Sequence, residues 1–192
     1  MSKGIELGES QIESLMNGST SLIVPISDTE DGRYTFLDYT NEHEHKSTMV
    51  DAFIKSYSSL QAGDKEVFVK EEFTKAYGSY NVEYKLNSNA TVLYWQPASE
   101  MTKEQSRFSI DIEDVRIIRI QDFGFDEVYG LSVTEDSWRA YSINSPSFVE
   151  WFDNIMEQYE EIHFKETAER ITLGRYEDNP YVFLYDAKVT TK

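Results

Sequence analysis

Apolar and polar positions alternate most clearly over residues 106–130. Phe108, Ile110 and Ile112 are interleaved with Ser109, Asp111 and Glu113, which is the period of a half-buried strand. After Glu113 and Asp114 the pattern resumes with Val115 and Ile117 on one face and Ile118 and Ile120 on the other, around Arg116 and Arg119. The apolar set changes parity at the acidic pair. A slip of one residue sends side chains to the opposite face, so the spacing predicts a bulge or sharp bend at Glu113 and Asp114. Bent strands of this kind build small closed barrels, and a barrel is the architecture expected.

The remaining elements follow from similar patterns. Ser10 with Glu13 has the form of a capping box, Ile12, Leu15 and Met16 share a helical face, and Gly18 suits the position after the end, so a helix is predicted over 11–17. Residues 22–26 form a continuous apolar run, the mark of a strand covered on both faces, with Pro25 at its edge or end. Residues 27–46 are polar, with a short strand at 34–37. A second helix starts at Ser47 or Thr48, buries Val50, Phe53, Ile54, Tyr57 and Leu60, and stops before Ala62 and Gly63.

The turn at Gly63 and Asp64 leads into a strand over 66–70. Segments 81–86 and 90–95 read as a hairpin, and 96–105 connects them to the central strand. Thr134 opens a short helix with Trp138 and Tyr141. A longer helix from Pro146 and Ser147 carries Phe148, Trp151, Phe152, Ile155, Met156, Tyr159 and Ile162 at helical spacing, which is the pattern of a packing face. Asn179 and Pro180 halt the chain before a strand at 181–185.

At 192 residues the chain suits a single domain over 1–192, with 27–61 as an insertion and 134–173 as a helical excursion. Its 40% hydrophobic and 14% aromatic content exceeds that of a disordered acidic chain. No apolar run approaches the roughly 20 residues that span a bilayer, and the first residues lack a signal peptide's order, so a cytoplasmic location with no membrane partner is expected. Without Cys there are no disulfides, thiolate metal sites or cysteine nucleophiles.

Charge changes this picture most. The 35 acidic side chains outnumber the 18 basic ones, for a net charge of −17. A field of that sign repels phosphate backbones and attracts basic surfaces. Between residues 122 and 161 lie ten carboxylates, Asp122, Asp126, Glu127, Glu135, Asp136, Glu150, Asp153, Glu157, Glu160 and Glu161, with Arg139 as the single basic residue. This stretch reads as a solubilising face or as an acidic interaction surface. Glu42, His43, Glu44 and His45 bring ligand-type side chains together, but the two His stand two apart in a polar stretch, so neither a metal nor another cofactor is expected.

Several motifs resemble, in order, those of the ASCH family of PUA-like β-barrels, which includes short phage proteins. Gly18, Ser19, Thr20 and Ser21 after the first helix resemble its G-x-K-T loop, and Gly63, Asp64 and Val67 to Glu71 its G-D-x-x-x-V-R-E strand. Trp95, Pro97, Met101, Ser106 and Arg107 resemble its W-x-P, M and S-R segment. Val115 to Asp122 with Gly130 resembles its V-R-x-x-R-L-x-D and E-G stretch, and Asn179 to Val182 its terminal N-P-W-V.

The resemblance implies an α+β fold, a PUA-like mixed β-barrel with flanking helices. It also implies a binding cleft at Thr20, Ser21, Lys70, Glu71, Trp95 and Arg107. Related folds hold RNA or a modified base there, and one branch is similar to amidohydrolases acting on acetylated cytidine through the loop Lys and Thr and the strand Glu. Here Thr20 stands at the Lys position and Ser21 at the Thr position, while Glu71 is kept and Val24 replaces a following Arg. A hydroxyl cannot replace an amine that acts as a base, so the resemblance implies no catalytic residues. Glu71 reads either as a remnant of that chemistry or as a structural partner of Arg107.

Three functions follow. The first is a non-catalytic acidic protein of phage type, an inhibitor or nucleic-acid mimic that occupies a basic site on a host nucleic-acid-handling or defence protein. The second is binding of nucleic acid or a modified nucleotide in the cleft, with Lys70, Arg107, Arg116 and Arg119 for charge and Tyr94 and Trp95 for stacking. The third is an amidohydrolase using Glu71.

Overall fold

A computed structural model describes residues 3–26, 46–75, 82–88, 94–131, 146–163 and 173–192. Its spine is the long strand β6 (Phe108–Arg119), antiparallel to the C-terminal strand β7 (Tyr181–Thr191). The register shifts between Ile112 and Asp114, so Glu113 is the extra residue and the predicted bulge is present. Phe108, Ile110, Ile112, Val115 and Ile117 consequently face one apolar cluster, whereas Ile118 and Ile120 face a second on the other side of the sheet.

The elements along the chain are β1 (Gly4–Glu6), α1 (Glu9–Met16), β2 (Ser21–Pro25), α2 (Lys46–Tyr57), β3 (Val67–Lys70), β4 (Phe73–Lys75), β5 (Val82–Tyr84), β6, α3 (Phe125–Gly130), α4 (Pro146–His163) and β7. Five strands form one mixed sheet in the order β1-β3-β6-β7-β2, where β1 and β3 are parallel and the other pairs antiparallel. The fold is α+β. Both faces of β2 and β7 are covered: Leu22, Val24, Phe183 and Tyr185 join the cluster with α1 and α2, and Ile23, Val182 and Leu184 join the cluster with α3 and α4. Burial on both faces is why these strands read as unbroken apolar runs.

The sheet does not close into a barrel among the described residues. Closure would require β1 to pair with β2, and the two are its opposite edges. One is only 3 residues long and the other ends at Pro25, which has no N–H to donate.

Several local expectations are also corrected. Helix α1 starts at Glu9 after Gly8, because Ser10 is engaged by α4: its N–H donates to Gln158 Oε1 at 3.1 Å and its hydroxyl accepts from Gln158 Nε2 at 3.2 Å. Strand β5 pairs with β4, placing Phe73 opposite Tyr84, and the next three residues form a 3-10 turn. Its expected partner includes 90–93, which lie outside the described residues. Strand β7 runs six residues past Tyr185, because Ala187 and Val189 continue the buried face. Expectations for 34–37, 134–141, His43 and His45 fall outside the described residues. Gly18, with φ +89°, ends α1 as predicted.

Candidate functional site

The cleft residues nominated from the sequence fall on separate strands, with Thr20 and Ser21 at the edge strand β2 and Lys70, Glu71 and Arg107 where β3 meets β6. At the β2 edge, the loop into the strand is tied down by its backbone. Thr20 N–H donates to Gly130 O at 2.8 Å, Ala187 N–H donates to Thr20 O at 2.8 Å, and Ser19 Oγ donates to Gly130 O at 2.8 Å. Gly130 is needed for this approach, since a Cβ there would stand 2.8 Å from Ser21 Oγ. The Thr20 side chain is exposed and Ser21 is buried, its hydroxyl donating to Asp186 Oδ1 at 3.4 Å.

Asp186 in turn accepts two bonds from Arg116 Nη2, at 3.2 and 3.0 Å, and Arg116 Nη1 donates to Glu127 Oε1 at 3.2 Å. Asp114 lies 3.7 Å from Arg116 Nε. Burial works to lower the Arg116 pKa, but Asp186 and Glu127 outweigh it and raise it. This guanidinium is neutralised by its own sheet.

Away from that edge, β3 delivers Glu71 to the end of β6. The Glu71 carboxylate is 2% exposed and accepts from Arg107 through Nε at 2.8 Å and Nη2 at 2.7 Å. Arg107 also lies 4.6 Å above the Tyr84 ring, so the guanidinium is sandwiched between acid and aromatic. Burial raises the Glu71 carboxyl above the ordinary glutamate range despite the pull of Arg107. Ser106 donates from Oγ to Val69 O at 2.7 Å, holding the strand that carries Arg107 against β3. Lys70 Nζ is 3.6 Å from Glu6, and Arg119 stacks on Tyr181 at 4.5 Å. Trp95 is half-buried and Tyr94 is exposed.

Glu71 also lines a cavity of about 660 Å³, whose described wall does not include Thr20, Ser21, Lys70, Trp95 or Arg107. Glu71 is the one residue of the expected cleft that lines it. Four further acidic residues, Glu6, Glu9, Glu72 and Glu161, line the same cavity, with Lys85 and His163 as the basic residues of that wall. Lys85 donates to Glu72 and stands 3.5 Å from Glu9. These partners, Glu72 first, raise its pKa, which is the opposite of what an amine needs to act as a base. The cavity draws on five separate segments, and no local pattern announced it. Among the described residues no group of three or more His, Asp and Glu is placed to hold a metal ion, and no helix is long and apolar enough to cross a membrane.

The acidic stretch divides as well. Glu127 is held by Arg116 and by Gly124 N–H at 3.0 Å. Asp153 accepts from Tyr176 N–H at 2.8 Å, and Glu160 accepts from Leu173 N–H at 2.6 Å and from Arg175 at 2.9 Å. Asp122, Asp126, Glu150, Glu157 and Glu161 are exposed and have no hydrogen-bond or ion-pair partner among the described residues. Glu135 and Asp136 fall outside the described residues. No family model matches the chain, and neither a curated protein nor a solved structure is found similar to it.

Proposed function

We propose that this is a non-catalytic, acidic binding protein of phage type that acts from its surface, occupying a basic site on a host nucleic-acid-handling or defence protein. In this reading the chain is an ASCH-like, PUA-related one whose sheet stays open and whose loop amine has been replaced by Thr20. One observation carries it: the cations nominated for nucleic acid are engaged within the chain, while half of the nominated carboxylates are not so engaged among the described residues. Lys70, Arg107, Arg116 and Arg119 each have a partner, whereas Asp122, Asp126, Glu150, Glu157 and Glu161 are exposed without one among the described residues. Spaced, solvated carboxylates present a basic surface with the charge sign that a phosphate backbone would.

The same distribution weighs against a nucleotide in the cavity, where five acidic residues line the wall and Lys85 is already engaged by Glu9 and Glu72. Amidohydrolase chemistry is disfavoured by Lys85, whose charge is held by Glu72 and Glu9. The test pairs a gel shift with a pull-down from bacterial lysate. The full chain is expected to leave single- and double-stranded DNA and RNA unshifted at low salt, and to capture a nucleic-acid-handling protein that elutes with salt. A clear nucleic-acid shift overturns the reading, and so does release of acetate from acetylated cytidine that Glu71→Gln abolishes.

A further inference from the structure

The cavity beside Glu71 has two unlike walls. Glu6, Glu9, Glu71, Glu72 and Glu161 line it, five carboxylates against the three cations Lys70, Lys85 and Arg107 that pair with the first four, while Leu7, Ile12, Leu86 and Ile162 supply an apolar side. Lys85, the only Lys or Arg of the described lining, is committed to Glu9 and Glu72. Glu71 is buried and bound through both oxygens to Arg107. Glu161 is exposed and has no partner among the described residues.

The volume of about 660 Å³ lies within the roughly 300–1,000 Å³ of small-ligand sites. An anion would meet like charge here, and a purely apolar group would leave the carboxylates desolvated. An aliphatic stem ending in a cation satisfies both walls.

We infer that this cavity receives a lysine or arginine side chain of the basic partner, its stem against Leu7, Ile12, Leu86 and Ile162 and its charged head toward Glu161. The partner's identity rests on the function proposed above, but the chemistry of the site does not.

The test therefore uses no partner. The full chain is titrated calorimetrically at low salt with the blocked tripeptide acetyl-Gly-Arg-Gly-amide and with its citrulline counterpart, which has the same shape and no charge. The arginine peptide is expected to bind at least about tenfold more tightly, because a charge-assisted hydrogen bond is about twice as strong as a neutral one. Glu161→Gln, on the surface and without an internal partner, is expected to weaken binding about fivefold or more, and Glu9→Gln serves as the second variant. Equal affinity for the two peptides, no binding, or binding unchanged in both variants overturns the assignment. Binding of free agmatine without binding of the peptide also overturns it, in favour of a small-amine site. Tight AMP binding displaced by neither overturns the charge argument itself. A negative result here with salt-sensitive capture intact leaves the acidic-surface function standing, and the reverse outcome separates the two the other way.

Discussion

Arg107 meets Glu71 edge to edge, Nε on Oε1 at 2.8 Å and Nη2 on Oε2 at 2.7 Å, across the junction of β3 and β6. Removing one side leaves a buried charge without its counterpart, so Arg107→Ala is expected to cost about 3 kcal/mol near neutral pH. The cost depends on pH. Glu71 already titrates above the ordinary range because of burial, and losing Arg107, which lowers it, moves it higher. An acid whose folded pKa is raised stabilises the fold fully below its unfolded value and loses that contribution as pH rises through the folded value. The penalty of Arg107→Ala should therefore grow as pH rises above the ordinary glutamate range, as urea midpoints across that rise will show.

Gly8 sits where α1 and α4 come closest. A Cβ on it would lie 2.7 Å from Gln158 Cβ and closer still to Gln158 Oε1, and the same Gln158 binds Ser10. The first of these atoms sits next to the helix backbone and cannot swing away. Gly8→Ala is expected to cost about 1–3 kcal/mol by overpacking, read as a fall in Tm, and Gln158→Ala in the same chain is expected to recover little of it, because alanine keeps the Cβ.

How far the sequence foretold the structure depends on how local each feature is. The bulge at Glu113 was legible because its neighbours change parity within a few residues, and the double burial of 22–24 and 182–185 was legible as unbroken apolar runs. Strand β4 was not, since Phe73 to Lys75 is three residues whose pairing is set by Tyr84 across the turn. The cavity was invisible for a similar reason: Glu6, Glu71, Lys85, Ala98 and Glu161 share no window of sequence. The pairing of Glu71 with Arg107, 36 positions apart, was foreseen only through a family resemblance. Closure was overestimated, because a bulge bends a strand without bringing the two edges of the sheet together.

The bulge itself is testable. Deleting Glu113 would make the β6 to β7 ladder regular and leave Ile110, Ile112, Val115 and Ile117 on the face they now share, because Ile112 and Asp114 already pair with the consecutive residues Ala187 and Asp186. Cooperative thermal unfolding is expected to survive the deletion, and its loss would show that the bend made by the extra residue is itself needed. Glu113→Ala keeps the residue count, and the side chain is exposed, so its effect should stay within about 0.5 kcal/mol.

The acidic stretch should separate into two behaviours when its members are changed one group at a time. Asp153 and Glu160 hold the segment before β7 through Tyr176, Leu173 and Arg175, so Asp153→Asn and Glu160→Gln are each expected to cost about 1–2 kcal/mol of stability. Asp122, Asp126, Glu150 and Glu157 hold nothing in place among the described residues, so neutralising all four should leave the urea midpoint nearly unchanged. Partner capture should respond in the opposite sense. The four-site neutral variant should lose most of its salt-dependent capture, whereas the folded fraction of Asp153→Asn should retain it. Capture that survives neutralisation of all four carboxylates, with the fold intact, would move the interaction off this face.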